Sequence, residues 1–411
     1  MSDKITFVIP SRNNLEFLKL AYKSIRDLKT KHEILILNDA STDGTQEWIE
    51  SQNDTDLITY HNPGPGRIGI VGMFDKGIEM ARTDIIMAFH ADMVAAPNLD
   101  VNILKHLEPG VIVSATRVEP PLHPPGPEKI TLPWGNEVEE YEYDECIPKF
   151  LELEMSNLDK TTEGIFAPWC MYKKDYLVVG GHDPIFAPQS KEDSDLFNRF
   201  TLNGYKTIQS WDGLVYHFTS RGSRFNKHAG GGAGKNSPEW ERQNIRSAKE
   251  FIRKWGHFPK HDEYMKPIIP PKYDIGLKLL NPTFQLLGAF EPWFSVSHVD
   301  NIDNIVDHYI AAEQPNTSFD LHKRVHSIYG VDDDSPAMYH DIVVTIDGNK
   351  LTHTDLSYIE NLAEIIKNTN ETGTFKIGNL GIQVISLIEN QNQLIICKKS
   401  ESLAKDSLAT Q

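Results

Sequence analysis

Acidic residues stand at three points of the first 200 residues where predicted strands and loops end. Asp39 and Asp92 each follow a short apolar run, and the pair Glu192–Asp193 begins a predicted helix. Ligands of open α/β sheets bind at the carboxyl ends of the strands, so we expect these carboxylates to share one site. Such groups can hold a divalent cation or accept a proton from a reacting hydroxyl. Each position alone also fits a turn or a helix cap.

Alternating short apolar runs and helical patterns predict the elements that position these acids. The first 258 residues are interpreted as one α/β domain, an open twisted sheet flanked by helices. Its predicted strands include residues 5–9, 33–37, 57–60, 85–89 and 111–115. Residues 117–150 hold seven prolines and an acidic run, which favours a surface insertion. A glycine-rich stretch at about 219–236 predicts a mobile loop.

The composition changes after residue 258 and carries no motif for a function. We predict a mostly helical linker or middle region at 259–335 and a small α+β unit at 336–400. The polar end at 401–411 is expected to be frayed.

The net charge and the cysteine content argue against several classes of protein. The formal net charge is -17, which argues against nonspecific nucleic-acid binding because phosphates would be repelled. The three cysteines show no disulfide or zinc spacing. The N-terminal residues lead directly into a strand pattern without a signal-peptide pattern. We therefore expect a cytoplasmic, soluble protein, with peripheral membrane contact left open.

Taken in order, the motifs resemble those of the family 2 glycosyltransferases, whose nucleotide-binding fold is called GT-A. The resemblance spans about residues 6–255. The segments that carry it are 7–13 (FVIPSRN), 37–45 (LNDASTDGT), 81–84 (ARTD), 89–92 (FHAD), 180–183 (GGHD), 192–199 (EDSDLFNR) and 215–217 (VYH).

The resemblance implies a nucleotide pocket and a metal site. Asp39 would accept a hydrogen bond from the base. The residues implied to line the same nucleotide site are Pro10, Ser11, Arg12, Ala91 and Asp92. Asp92 matches the second acid of the family's Asp-x-Asp motif and would bind Mn²⁺ or Mg²⁺, and His217 matches a histidine that completes that metal site. His90 replaces the first acid of the motif, so it could ligate the metal, contact the ribose or pack at the strand end.

The resemblance also implies a general base, Asp193, with Glu192 as the nearest alternative. Asp183 would shape the acceptor side.

Other residues are candidates on chemical grounds. Arg67 precedes a helix start, where a diphosphate could meet backbone amides and a cation, although a solvated loop arginine fits as well. Arg221 follows His217 in the glycine-rich loop and could close over the substrates. Trp169 and Trp134 could stack on sugar rings or pack in the core.

These expectations together predict an inverting, metal-assisted glycosyltransferase. The donor would be a nucleoside diphosphate sugar, and the resemblance to the family favours a UDP-sugar. The acceptor would be a glycan, a lipid-linked molecule or a protein, and no nucleic-acid partner is expected. Two alternatives stay open, namely a degenerate carbohydrate-binding or assembly module on the same scaffold, and a nucleotidylyltransferase.

Overall fold

Two groups of residues form separate compact units. The computed structural model describes residues 4–328 and 339–397, so the predicted tail at 401–411 lies outside the described residues. The first unit comprises Met1–Asn244, Lys260–Ile268 and Ile396–Gln411, and the second comprises Ile245–Pro259 and Ile269–Ile395. Each unit has its own buried apolar cluster.

The first unit is built on a ten-stranded mixed sheet. Eight strands lie in the order β3-β2-β1-β4-β9-β6-β10-β5, while β7 pairs with β6 and β8 with β10. The strands are β1 (Ile5–Ser11), β2 (Glu33–Asp39), β3 (Leu57–Asn62), β4 (Ile85–Ala88), β5 (Met93–Ala95), β6 (Val111–Glu119), β7 (Ile130–Thr131), β8 (Thr161–Thr162), β9 (Trp169–Tyr172) and β10 (Lys206–His217). The sheet is open and mixed, since β9 runs antiparallel to both β4 and β6.

Helices flank this sheet and contribute residues to its buried apolar cluster. The helices of this unit are α1 (Leu15–Arg26), α2 (Thr45–Glu50), α3 (Ile70–Met80), α4 (Leu99–Leu104), α5 (Tyr143–Ser156), α6 (Lys173–Val178) and α7 (Glu192–Leu202). Residues 238–244 of helix α8 (Pro238–Trp255) belong to the first unit and residues 245–255 to the second. In α1, Leu18, Ala21 and Ile25 recur at helical spacing and are buried. The predicted fold class, an open α/β sheet flanked by helices, is confirmed.

The segment at 117–150 differs from the predicted surface insertion. Strand β6 continues to Glu119, and Cys146 and Phe150 of α5 are buried against Tyr216 of β10 in a further apolar cluster. The two α5 side chains are four residues apart and therefore share one face of the helix. The acidic run in the segment 117–150 obscured the apolar pair Cys146 and Phe150 in the sequence.

The second unit contains a six-stranded sheet in the order β13-β12-β11-β14-β16-β15. Its strands are β11 (Ile275–Leu280), β12 (Val296–Val299), β13 (Val325–Ser327), β14 (Ile342–Asp347), β15 (Gly373–Ile377) and β16 (Leu380–Val384). The helices are α9 (Phe284–Phe290), α10 (Ile305–Glu313), α11 (His353–Glu360) and α12 (Leu362–Thr369).

Three of these strands lie in the region 259–335, for which the sequence predicted mostly helix. They pair in one sheet with β14, so the structure does not separate the middle region from the unit predicted at 336–400. The strands are short, and β11 carries a glycine and a lysine that weaken its apolar pattern. Within the described residues, no helix is both long and apolar enough to cross a membrane.

A pair of helical glycines gives a test of the packing. In α3, a Cβ added at Gly77 would lie 2.4 Å from Val8 Cγ1 and 2.8 Å from a Leu37 methyl, so the helix packs on β1 and β2 without room for a side chain. In α9, a Cβ at Gly288 would meet only Tyr309, at 3.6 Å.

We expect Gly77→Ala to destabilise the first unit by roughly 1–3 kcal/mol through overpacking. Gly288→Ala should instead be neutral or stabilise by up to about 1 kcal/mol, because alanine is the better helix former. Urea unfolding of both variants measures the two effects. A Gly77→Ala protein as stable as the wild type would contradict the close helix–sheet contact.

Candidate active site

One cavity of about 370 Å³ in the first unit brings together most of the residues that the sequence predicted for the site. Eleven of the predicted residues line it: Pro10, Ser11, Arg12, Asp39, Arg67, His90, Ala91, Asp92, Glu192, Asp193 and His217. They come from the ends of β1, β2 and β10, from the connection after β4, from the loop before α3 and from the start of α7. Side chains more than 200 residues apart in sequence therefore share one cavity.

Asp39 connects the end of β2 to the loop before α3. Its carboxylate accepts hydrogen bonds from the backbone N–H groups of Ile68 (2.8 Å) and Gly69 (2.7 Å), and from Asn62 Nδ2 (2.7 Å). A carboxylate has about four acceptor positions, so one remains for a ligand. Asp39 thus organises the loop that carries Arg67 and still lines the cavity.

The loop before α3 also touches the loop before α7. Ile70 N donates to Pro188 O at 2.8 Å. Gly69 has a φ of +90°, and a Cβ there would lie 2.4 Å from Pro188 Cα, which only glycine avoids. Main-chain contacts therefore join the Asp39 side of the cavity to the segment that leads into Glu192 and Asp193.

His90, Asp92 and His217 form a group that could hold a metal ion. Each offers one ligand atom, and these atoms lie within 4.8 Å of one another. His217 Nε2 is 3.7 Å from Asp92 Oδ1. Antiparallel pairing of β5 with β10, which places His217 opposite Met93, brings the three residues together. Two imidazole nitrogens and a carboxylate oxygen are a donor set that suits Mn²⁺ better than Mg²⁺.

Glu119 contacts this group and was missed in the sequence. Its Oε1 lies 2.9 Å from His217 Nδ1. Burial opposes ionisation of the Glu119 carboxyl, but Arg117, His217 and Lys129 hold its pKa well below the usual range. The β-branched residues that continue from Val111 to Val118 were the signal for a longer strand, and the assigned insertion concealed it.

Glu192 and Asp193 occupy the first turn of α7 with different environments. Glu192 is buried, whereas Asp193 is partly exposed to the cavity. Burial, together with the charge of Asp193, raises the pKa of Glu192 to about 8. Glu192 therefore holds its proton more strongly than an ordinary glutamic acid does, beside the more exposed carboxyl group of Asp193.

Cationic side chains line the same cavity despite the negative charge of the protein. Arg67 Nη2 is 3.1 Å from Glu239 Oε1 and Arg12 Nη1 is 3.7 Å from Glu239 Oε2, so one carboxylate at the start of α8 pairs with both and leaves a net positive charge. Lys191 also lines the cavity, and burial lowers its pKa. Lys191 directly precedes the Glu192–Asp193 pair and was not among the residues predicted from the sequence.

Four predicted residues lie elsewhere in the first unit. Asp183 caps a short turn by accepting from Ile185 N, and Trp169 is buried in the core beside Tyr176. Trp134 packs edge-on against Phe150 and stacks on Tyr216, so it does not offer the free face expected of a sugar platform.

The fourth of these residues, Arg221, supports Asp92 instead of lining the cavity. Its backbone N–H donates to Asp92 Oδ2 at 2.6 Å. Its guanidinium group donates to the Asn136 carbonyl and pairs with Glu137 at 3.2 Å. Arg221 therefore orients a candidate metal ligand through its main chain.

Comparisons with known proteins support the resemblance found in the motifs. The model of the family "Glycosyl transferase family 2" matches residues 6–179. The predicted resemblance is confirmed over that segment. The match ends before α7 and β10, so Glu192, Asp193 and His217 lie outside it.

Individual relatives are distant. The undecaprenyl-phosphate mannosyltransferase of Micrococcus luteus is 25% identical over 121 residues, which cover 28% of this chain and 49% of that protein. The chain thus matches about half the length of that relative.

Two solved structures are similar at low identity. The mannosyltransferase PcManGT from Pyrobaculum calidifontis, in complex with GDP-Man and Mn²⁺, is 16% identical with a TM-score of 0.39, covering 61% of this chain and 63% of its own. GalNAc-T7 with UDP, GalNAc and Mn²⁺ is 14% identical with a TM-score of 0.43, covering 64% and 48%.

The raised pKa of Glu192 predicts a pH dependence of stability. Because the folded pKa of about 8 exceeds the ordinary 4.5, the folded state keeps a proton that the unfolded chain releases between these values. The free energy of unfolding should therefore fall as pH rises through this window, by up to about 1.4 kcal/mol per pH unit. Glu192→Gln should remove this loss and be more stable than the wild type near pH 8.

Urea unfolding at pH 5 and pH 8 measures the difference. The exposed Glu47, replaced in Glu47→Gln, is the matched control and should follow the wild type at both pH values. If the free energy of unfolding changed equally in Glu192→Gln and the wild type between pH 5 and pH 8, Glu192 would be ionised in the folded protein.

Proposed function

We propose that the protein is an inverting glycosyltransferase that moves a sugar from a nucleoside diphosphate sugar to an acceptor hydroxyl. The observation that carries the proposal is the convergence of Asp39, the His90–Asp92–His217 group and Asp193 in one cavity. The family match over residues 6–179 supports the same reaction class. A UDP-sugar is the favoured donor, and a glycan, a lipid-linked molecule or a protein is the acceptor.

Asp39, Arg12 and Arg67 are assigned to the nucleotide. The remaining acceptor position of Asp39 can take an N–H of the base, and the two guanidinium groups can meet phosphate oxygens. Glu239 holds both arginines in the free protein, so donor phosphates would compete with this carboxylate. Pro10, Ser11 and Ala91 complete the wall around the nucleotide.

His90, Asp92 and His217 are assigned to a divalent cation, Mn²⁺ in preference to Mg²⁺. One ligand atom from each residue lies within 4.8 Å of the others, so the three side chains would hold one ion between them. When bound, such a cation offsets the charge that develops on the departing diphosphate. Arg221 keeps Asp92 in place through its backbone N–H.

Asp193 is assigned as the general base. It is more exposed to the cavity than Glu192 and can accept the proton of the acceptor hydroxyl as that oxygen attacks the sugar carbon. One displacement from the face opposite the leaving group inverts the configuration at that carbon. Glu192, with its proton, can donate a hydrogen bond to a substrate oxygen.

Donor turnover is the direct test of the reaction class. We expect one nucleoside diphosphate to be released when the protein is given a panel of nucleotide sugars with Mn²⁺, less with Mg²⁺ and none with a chelator. The panel identifies the donor, and candidate acceptors can then be assayed with that donor. No release from any sugar, together with no nucleotide-induced rise in Tm, would favour a degenerate binding module.

Asp193→Asn separates catalysis from binding. Loss of the base should lower kcat by about 10²- to 10⁴-fold, while nucleotide affinity by calorimetry stays at the wild-type value. The exposed Asp84, replaced in Asp84→Asn, is the control and should keep full activity. Full activity of Asp193→Asn would exclude it as the base and direct attention to Glu192.

A further inference from the structure

Glu119 and His217 end two neighbouring parallel strands. The register of β6 and β10 pairs Arg117 with Val215 and Val118 with Tyr216, so the next residues of the two strands stand side by side. Glu119 Oε1 consequently lies 2.9 Å from His217 Nδ1. The contact joins residues 98 positions apart and depends on strand pairing rather than on a local turn.

Two cations fix the Glu119 carboxylate in this place. Arg117 Nη1 donates to Oε1 at 3.0 Å and Lys129 Nζ donates to Oε2 at 3.1 Å. The side chains of Glu119, Arg117 and Lys129 are only 2%, 7% and 6% exposed. Arg117 also lies 3.7 Å from the ring centre of Phe166, which lines the cavity.

This arrangement determines which nitrogen of His217 is free. Both Glu119 oxygens accept from cationic donors, so the carboxylate can only accept from Nδ1, and Nδ1 carries the proton of a neutral ring. The lone pair then resides on Nε2, which lies 3.7 Å from Asp92 Oδ1 on the side of the candidate metal ligands. A carboxylate on the far nitrogen also makes the imidazole a stronger metal ligand.

We infer that Glu119 is a positioning residue that fixes the ring orientation and tautomer of His217 for metal binding. The inference rests on the metal site of the proposed function and adds a residue that does not itself contact the ion. In Glu119→Gln, the amide can present oxygen to only one side. Its NH₂ group must face either Lys129 or the Arg117–His217 side, and in the second orientation it reverses the tautomer of His217.

Mn²⁺ binding is the measurement. Mn²⁺ is titrated into the full chain with UDP present, and free Mn²⁺ is followed by its electron paramagnetic resonance signal. We expect the Kd to rise about 10- to 100-fold in Glu119→Gln, as for other outer carboxylates of metal-bound histidines. If the single substitution fails to fold, Glu119→Leu/Lys129→Met is the charge-balanced variant, because it removes the acceptor of His217 Nδ1 together with one cation, and its Kd should rise by the same factor.

Two controls separate positioning from general charge effects. Glu128→Gln changes a neighbouring acid that lies 3.9 Å from Arg117 Nη2, and it should leave the Kd unchanged. In a His217→Ala background, Glu119→Gln should add no further loss, because its effect passes through that ring.

The outcomes distinguish the inference from the proposed function. A wild-type protein that binds no Mn²⁺ with UDP would remove the metal site and the inference together. Normal wild-type binding with an unchanged Kd in Glu119→Gln would overturn the inference alone. An equal loss in Glu128→Gln, or a further loss in the His217→Ala background, would also overturn it.

Discussion

The pairing of β10 with its neighbours β6 and β5 is the constraint on which the candidate site depends. Ser210 pairs with Ala115 but Leu214 pairs with Thr116, so three extra residues of β10 are accommodated between these pairs. Without this irregularity, a different residue of β10 would stand beside Glu119 and Asp92. An odd shift of register would also turn His217 to the opposite face of the sheet. The metal group is therefore a product of sheet register.

Local patterns made a large part of the fold and site predictable. The apolar strands ending near Asp39 and Asp92, and the helix beginning at Glu192, could be read from the sequence because short-range periodicity defines them. The strand position of Glu119 could also be read from the residues before it, but its contact with His217 could not, since that contact arises from pairing with a strand about 100 residues away. Strands β11, β12 and β13 of the second unit escaped detection because they are short, and β11 is interrupted by Gly276 and Lys278.

Aromatic residues show the limit of composition as a guide to function. Trp169 and Trp134 have the flat faces that sugars use, yet the structure surrounds both with other rings. A large side chain gains most by burial, and the sequence does not reveal whether a partner ring is available. Cationic side chains are a better guide to function than aromatic ones here, because buried or half-buried cations in a strongly acidic chain indicate a site for anions. Arg12, Arg67 and Lys191 are such cations, and all three line the cavity.

The contact between Gly69 and Pro188 makes the width of the cavity a property of the main chain. Ile70 N donates to the Pro188 carbonyl, and the main-chain contact between Gly69 and Pro188 sets the spacing of the two walls, while the Asp39 carboxylate accepts from Gly69 N on one side. Side-chain exchanges along either wall can alter the shape and polarity of the lining without changing that spacing. Substitutions of the lining side chains would therefore change which ligands the cavity prefers, while the distance between its two walls stays the same.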